Sequence, residues 1–278
     1  VDAGTVLADI SLAAKKEGTD LYRCTERLTS QYRYAVGSPI EQVVKAVQSG
    51  DSDQVINLLK SHRNSNGVVS WIDPSSKAQE DLEAFENVGL EVQRHALEVV
   101  ELAGSSQYEK ALETLGQLQL LCASRVGQLG IAGWNRTVNK WIGTATRKQW
   151  FVGRPVLITK NDHGNNLYNG DVGVVCSDKN GEVRVVFDGL GGPREFPTVR
   201  LPEVETVHAL TIHKSQGSEY QHAIVVLPTG RSRLLTRELL YTGVSRAREQ
   251  LTIVATEAAL RTAVTTVISR ASGLADRL

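Results

Sequence analysis

Hydrophobic positions keep a helix-and-strand pattern up to residue 142, change character over residues 149–200, and resume the first pattern from residue 204. Ile40, Val43, Val44 and Val47 recur at the spacing of one buried helix face. Ser38 before them is a good cap, and Pro39 suits a first turn, where its missing N–H has no partner to lose. Ser49-Gly50-Asp51 ends that helix, and Val55, Leu58 and Leu59 mark a second over residues 53–60. Residues 67–72 read as a strand. Residues 75–103 carry a long helical pattern with an expected break near Asn87-Val88-Gly89, and residues 108–116 form a further helix whose acidic residues look like a solvated face. A largely apolar strand over 118–123 runs into Ser124-Arg125-Val126-Gly127-Gln128-Leu129-Gly130. A helix over 131–142 follows, holding Trp134, Asn135, Asn139 and Trp141.

From 149 to 200 the helical period disappears. Short strands are expected at 155–159, 173–176, 183–187 and 194–199, separated by Asn-, Asp- and Gly-rich turns such as Asn169-Gly170-Asp171. This stretch fits a small β-barrel inserted into an α/β domain. Residues 204–211 then alternate apolar with polar as a half-buried strand does, and 223–227 are continuously apolar, as in a buried parallel strand. A helix is expected over 232–246, with Leu234, Leu235, Leu239, Leu240 and Val244 on its buried side, then a strand at 251–255 and a helix at 257–271.

Between the strands at 204–211 and 223–227 lies Thr211-Ile212-His213-Lys214-Ser215-Gln216-Gly217-Ser218-Glu219. Hydroxyls, an imidazole, an ammonium and an amide crowd together there, and Gly217 lets the backbone approach a ligand closely. Loops at strand ends of open α/β sheets bind ligands, often phosphates. A polar turn without function is the alternative reading.

That block resembles motif V of superfamily 1 DNA helicases of the RecD-like branch. Thr236-Arg237-Glu238-Leu239-Leu240-Tyr241-Thr242-Gly243-Val244-Ser245-Arg246-Ala247-Arg248 is similar to motif VI, with Ser245 where the motif ordinarily has Thr. Leu28-Thr29-Ser30-Gln31-Tyr32-Arg33-Tyr34 resembles motif IV, and Val1 to Ile10 resembles the segment that closes motif III. The resemblance implies a RecA-like second motor domain of the P-loop NTPase type carrying a small β-barrel of the Src-homology (SH3-like) kind. Its expected boundaries are a first-domain tail and connector over 1–27, motor domain over 28–148 and 204–278, and the barrel over 149–203. It implies ATP with Mg²⁺ as the nucleotide, Arg246 and Arg33 as the catalytic arginines, and Gln216, Gly217 and Glu219 at the nucleotide, with Glu219 on the ribose hydroxyls. Guanidinium suits the role because its fixed fork of donors matches phosphate oxygens and keeps its charge. Arg248, two residues on in an expected helix, is turned away by about 200° and assigned to an acidic neighbour such as Glu249 or Glu238.

By the same resemblance, Thr211, His213, Lys214 and Ser215 face single-stranded DNA, helped by Asn161 and Asn169. Within the expected barrel Arg154, Lys160 and Tyr168 also offer phosphate donors and a stacking surface. For Asn161 and Asn169 a turn-stabilising role is equally open. Arg125 is open between a DNA or nucleotide contact and a cap or surface pair, and His208 is expected to be structural. No second His or Cys stands at zinc-ligand spacing from His213, so no metal site is expected. The expected partners are DNA, the first motor domain, and RecB- and RecC-type subunits of exodeoxyribonuclease V in double-strand-break repair, with 5′-to-3′ movement. Alternatives are the helicase part of a conjugative relaxase, an RNA-directed relative, or a non-catalytic adaptor.

Composition narrows this little. The 278 residues include 31 Lys+Arg and 31 Asp+Glu, so any DNA binding rests on local clusters and not on net charge. The 41% hydrophobic content supports a sizeable core, and no apolar run approaches the ~18 residues of a membrane span. Cys24, Cys122 and Cys176 are odd in number and far apart, as in a reduced cytoplasmic protein. The chain has no Met and no Gly-x-x-x-x-Gly-Lys-Ser/Thr loop. The resemblance implies that the phosphate loop and the Mg²⁺ ligands lie in a preceding domain, and the chain is expected to be the C-terminal part of a longer enzyme.

Overall fold

Alternating side chains on buried strands decide the layers of this protein. The computed structural model describes residues 10, 13–14, 19–26, 33–62, 67–143, 149–201 and 203–268. Contacts divide the chain into Arg33–Thr266 and a smaller unit of Val1–Tyr32 with Val267–Leu278. In the smaller unit, one helical turn, Asp20–Arg23, is capped by the Thr19 hydroxyl. The remaining motif IV residues before Arg33, the expected motif III tail and residues 269–271 lie outside the described residues or are described only in part.

In the larger unit, helices α1 (Pro39–Ser49) and α2 (Ser52–His62) precede strand β1 (Val69–Ile72). Helices α3 (Gln79–Gly104) and α4 (Tyr108–Gln117) lead to β2 (Leu118–Cys122) and α5 (Ile131–Trp141). Strands β3 (Pro155–Ile158), β4 (Val172–Ser177), β5 (Val183–Phe187), β6 (Arg194–Pro197) and β7 (Val204–Thr206) follow. The chain ends through β8 (Ala209–Thr211), β9 (Tyr220–Val226), α6 (Arg237–Val244), β10 (Ala247–Val254) and α7 (Glu257–Thr265). One sheet has the order β1-β10-β9-β2-β8, all parallel; the other, β6-β5-β4-β3-β7, is antiparallel.

Leu121, Val225 and Ile253 face a core built with α1, α2, α6 and α7. Their neighbours Leu120, Ile224 and Val254 face a second core with Val88, Val92 and Ala96 of α3 and Trp134 of α5. Both faces of the parallel sheet are thus covered, which is why its strands read as apolar runs. The result is a layered α/β fold. Among the described residues no helix is long and apolar enough to cross a membrane.

Sequence capping sets α1 as expected. The Ser38 hydroxyl accepts from Glu41 N at 3.2 Å, and Gly50 closes the helix at φ +81°. Helix α3 differs from expectation: it is continuous through Gly89. Val88, Val92, Ala96, Val99 and Ala103 form one buried stripe, the first three against the parallel sheet and the last two against Val174 and Val186 of the antiparallel one. Packing along two cores overrides the poor local propensity of glycine.

The strand expected over 204–211 is two strands in different sheets. Val204–Thr206 pairs with β3, Ala209–Thr211 pairs with β2, and the chain crosses between them at Val207 and His208. Helix α5 braces this crossing. Asn135 donates to Thr206 O at 3.0 Å and accepts from Ala209 N at 3.1 Å, while Asn139 Oδ1 lies 3.0 Å from His208 Nε2. Burial, with lesser effects from His95 and Arg154, pushes the His208 pKa down to about 3.

Two outcomes follow. Gly89→Ala places a Cβ at ordinary contact distance, 3.6 Å, from the Trp141 ring. It should stabilise the protein by about 0.5–1 kcal/mol in urea denaturation; a loss of stability would show that Gly89 is needed for packing. For His208 the folded pKa is depressed, so between it and the unfolded value near ~6.5 the unfolded chain binds the extra proton and stability falls as pH falls. His208→Gln should therefore lose less stability than wild type between about pH 7 and about pH 5, and an equal loss would contradict that role.

Candidate functional site

Helix α6 is shorter than expected and this places its arginines. It starts at Thr236, whose hydroxyl accepts from Leu239 N at 3.3 Å, and Ser245 is its C-cap, so Arg246 and Arg248 stand beyond the helix. Gly243 lets the helix sit close on the sheet, since a Cβ there would meet Val225 at 3.2 Å and Ile212 at 3.3 Å. The end of α6 thereby lies over the amino ends of β9 and β10, where Tyr220 N donates to Arg246 O at 2.9 Å.

Two guanidinium groups converge on Ser245, which is 2% exposed. Arg33 Nη1 donates to the Ser245 carbonyl at 2.6 Å, and Arg246 Nη2 donates to the Ser245 hydroxyl at 3.2 Å. Arg246 also donates from Nε to Thr242 O at 2.9 Å and from Nη1 to Ser218 O at 3.0 Å. The carbonyls at a helix C-terminus lack intrahelical partners and carry partial negative charge, which favours cations there. Glu219 adds a full charge: Oε2 lies 3.4 Å from Arg33 Nε and Oε1 3.2 Å from Arg248 Nη1. Partial burial, then the nearby Arg33 charge, holds the Arg246 pKa below its ordinary value. The pair is a cationic clasp around Ser245. Arg248 was expected to serve Glu249 or Glu238 because a helix would turn it away; it lies in strand β10 and pairs with Glu219 instead.

Thr211 to Glu219 does not act at one place. Thr211 is level with Cys122 in the β8–β2 register, and Cys122 with Val226 in β2–β9. Tyr220 begins β9 six residues earlier, so Thr211 and Glu219 belong to opposite ends of the sheet, roughly 20 Å apart along the strands. Residues 212–219 form the return strap, in which Gly217 takes φ +89°.

At the carboxyl end, the Thr211 hydroxyl accepts from Lys214 N at 3.1 Å and starts a 3₁₀ turn, Ile212–Ser215. His213 and Gln216 are exposed, and Lys214 Nζ pairs with Glu205 at 2.8 Å. Ser215 was expected to face DNA. It is fully buried and its hydroxyl donates to Ile212 O at 2.7 Å, so its side chain has no surface to offer. Arg125, Asn135, Thr211 and Lys214 line one cleft of about 370 Å³.

Arg154 is likewise not a free phosphate donor. It is buried, donating to Thr206 Oγ1 at 2.8 Å and Gln149 O at 2.6 Å beneath the Trp150 ring. Asn161 Oδ1 accepts from Asn169 N at 2.9 Å, so these two exposed residues stabilise each other's turn. Lys160 pairs with Glu203 at 2.7 Å, and Tyr168 is half exposed. Asn135, Asn139 and Ser245 were not singled out for these structural duties; the uncommon run of buried-face asparagines on α5 was the available signal.

The UvrD-like helicase C-terminal domain family matches residues 206–254, which include Glu219, Arg246 and Arg248. RecBCD enzyme subunit RecD of Mycobacterium tuberculosis (strain H37Rv) is 40% identical over 282 residues, covering 100% of this chain and 46% of the relative. The protein of that name from Haemophilus influenzae is 31% identical over 283 residues, covering 95% and 43%. The ATP-dependent RecD2 DNA helicase of Deinococcus radiodurans is 28% identical over 260 residues, covering 90% and 30%. A Pif1 helicase structure from Bacteroides, in complex with ADP-AlF3 and ssDNA, is similar with a TM-score of 0.37 at 15% identity, covering 87% of this chain and 53% of that one. The chain spans about half the length of the curated relatives it matches. Aligned over its whole length with RecD and containing the helicase C-terminal domain, the chain fits a C-terminal portion of a RecD-type protein.

Proposed function

We propose that this chain forms the second, RecA-like motor domain of an ATP-dependent 5′-to-3′ DNA helicase of the RecD type. In this reading it works in the cytoplasm with RecB- and RecC-type subunits of exodeoxyribonuclease V, in double-strand-break processing, and the antiparallel sheet is an SH3-like barrel over the DNA. The observation that carries the proposal is the meeting of Arg33 and Arg246 on Ser245, because an adaptor has no need to hold two like charges together.

ATP, with Mg²⁺ neutralising its phosphates, would be held between this domain and a preceding one that carries the phosphate loop and the Mg²⁺ ligands. The donors here fit a terminal phosphate. Arg246 uses one N–H on each of its three nitrogens, and a guanidinium has five, so two remain for an incoming oxygen. Phosphoryl transfer spreads charge over the equatorial oxygens, and an aligned arginine contributes roughly 10³–10⁵ in rate. Glu219 would accept from the ribose hydroxyls, with Gln216 and Gly217 beside it. At the far end, His213, Lys214 and Thr211 would meet DNA phosphates, with Asn161 and Asn169 on the inserted sheet. The strap 212–219 would then carry the nucleotide state to the DNA as the domains close and open.

In the intact protein, Arg246→Ala should cut ATP hydrolysis by about 10³ or more while single-stranded DNA binding is kept. Turnover at the wild-type rate would overturn the assignment. Lys214→Ala should weaken DNA binding and lower the slope of log affinity against log salt by about one, and an unchanged slope would remove Lys214 from the DNA contact.

A further inference from the structure

Strand β10 carries an irregularity beside the arginine clasp. Ala247 pairs with Tyr220 and Gln250 with His222, so three steps along β10 face two along β9. One extra residue in a strand is a bulge, and bulges beside active sites commonly re-aim a side chain. Here the extra length spans Arg248 and Glu249, and Arg248 reaches Glu219.

Among the described residues Glu219 makes two ion pairs, one from each oxygen: Oε1 to Arg248 and Oε2 to Arg33. In the proposed reaction Arg33 must leave that carboxylate for the nucleotide phosphate. A half-exposed carboxylate with no other cation would compete for Arg33, and every ATP binding event would have to overcome that attraction. We propose that Arg248 is a positioning residue that keeps Glu219 held and charge-compensated when Arg33 turns to the phosphate. The carboxylate oxygen on Arg248 then stays in place while the other is freed, and Arg33 changes partner without leaving a bare charge behind.

This inference rests on the proposed roles of Arg33 and Glu219 and predicts a particular kinetic pattern. Competition for Arg33 burdens the bound ground state and the transition state alike, so it appears in KM and not in kcat. In the intact protein, Arg248→Ala should raise KM for ATP about fivefold and leave kcat within about twofold, the scale of one exposed ion pair. Arg248→Lys should restore most of the loss. With Glu219→Gln as background, removing Arg248 should change KM by less than about twofold, since no carboxylate is left to hold Arg33. An unchanged KM in Arg248→Ala, or an equal rise in the Glu219→Gln background, overturns the proposal. Arg246→Ala separates the two layers. Hydrolysis surviving that change would bring down the motor reading itself, whereas its loss beside a silent Arg248→Ala would bring down only this inference.

Discussion

The candidate site depends on cations held at the end of a short helix. Two guanidinium groups repel each other, and their approach is stable only where something offsets that repulsion. Here the offset comes from the Thr242 and Ser245 carbonyls at the C-terminus of α6, the Ser245 hydroxyl, and the Glu219 carboxylate. None of these is strong alone, because each lies in partly exposed surroundings where ion pairs contribute about 1 kcal/mol or less. Their geometry is fixed by the core. Val244 and Leu240 are fully buried and Gly243 seats the helix against β9, so the cap cannot drift without disturbing the packing beneath it.

The parallel register gives the second constraint. Because β8 and β9 run the same way with β2 between them, the connection from Thr211 to Tyr220 must cross the sheet from one end to the other. A single short sequence block thereby touches both ends of the strands. Its first half is anchored by Ile212 and Ser215, both fully buried, while His213 between them and Gln216 after them stay exposed. Ile212 ties the start of the strap to the core beneath it.

Much of the fold was legible because local signals and burial agree. Ser38, Pro39 and Gly50 bound α1 as their chemistry dictates, and the apolar runs at 118–123 and 223–227 fall almost wholly within the interior parallel strands β2 and β9. Legibility failed where tertiary context decides. Val204–Thr206 and Ala209–Thr211 share one alternating pattern, and nothing local says that Asn135, some seventy positions earlier, parts them into two sheets. Gly89 looks like a breaker until two cores are seen to pull α3 straight. Ser215 and Arg154 read as surface donors, yet both are buried with their donors used internally. The direction of Arg248 was misread because the extent of α6 was, and a bulge has no sequence period to announce it.

The pairing of Arg33 with Arg246 could be anticipated only from the resemblance of their separate motifs, since 212 positions separate Arg33 from Ser245. Its purpose is best tested by a structure of the intact protein with Mg²⁺ and a non-hydrolysable ATP analogue. The account predicts both guanidinium groups within about 3 Å of terminal-phosphate oxygens, with Ser245 between their bases. A terminal phosphate bound out of reach of either arginine, with the clasp around Ser245 unchanged, would contradict it.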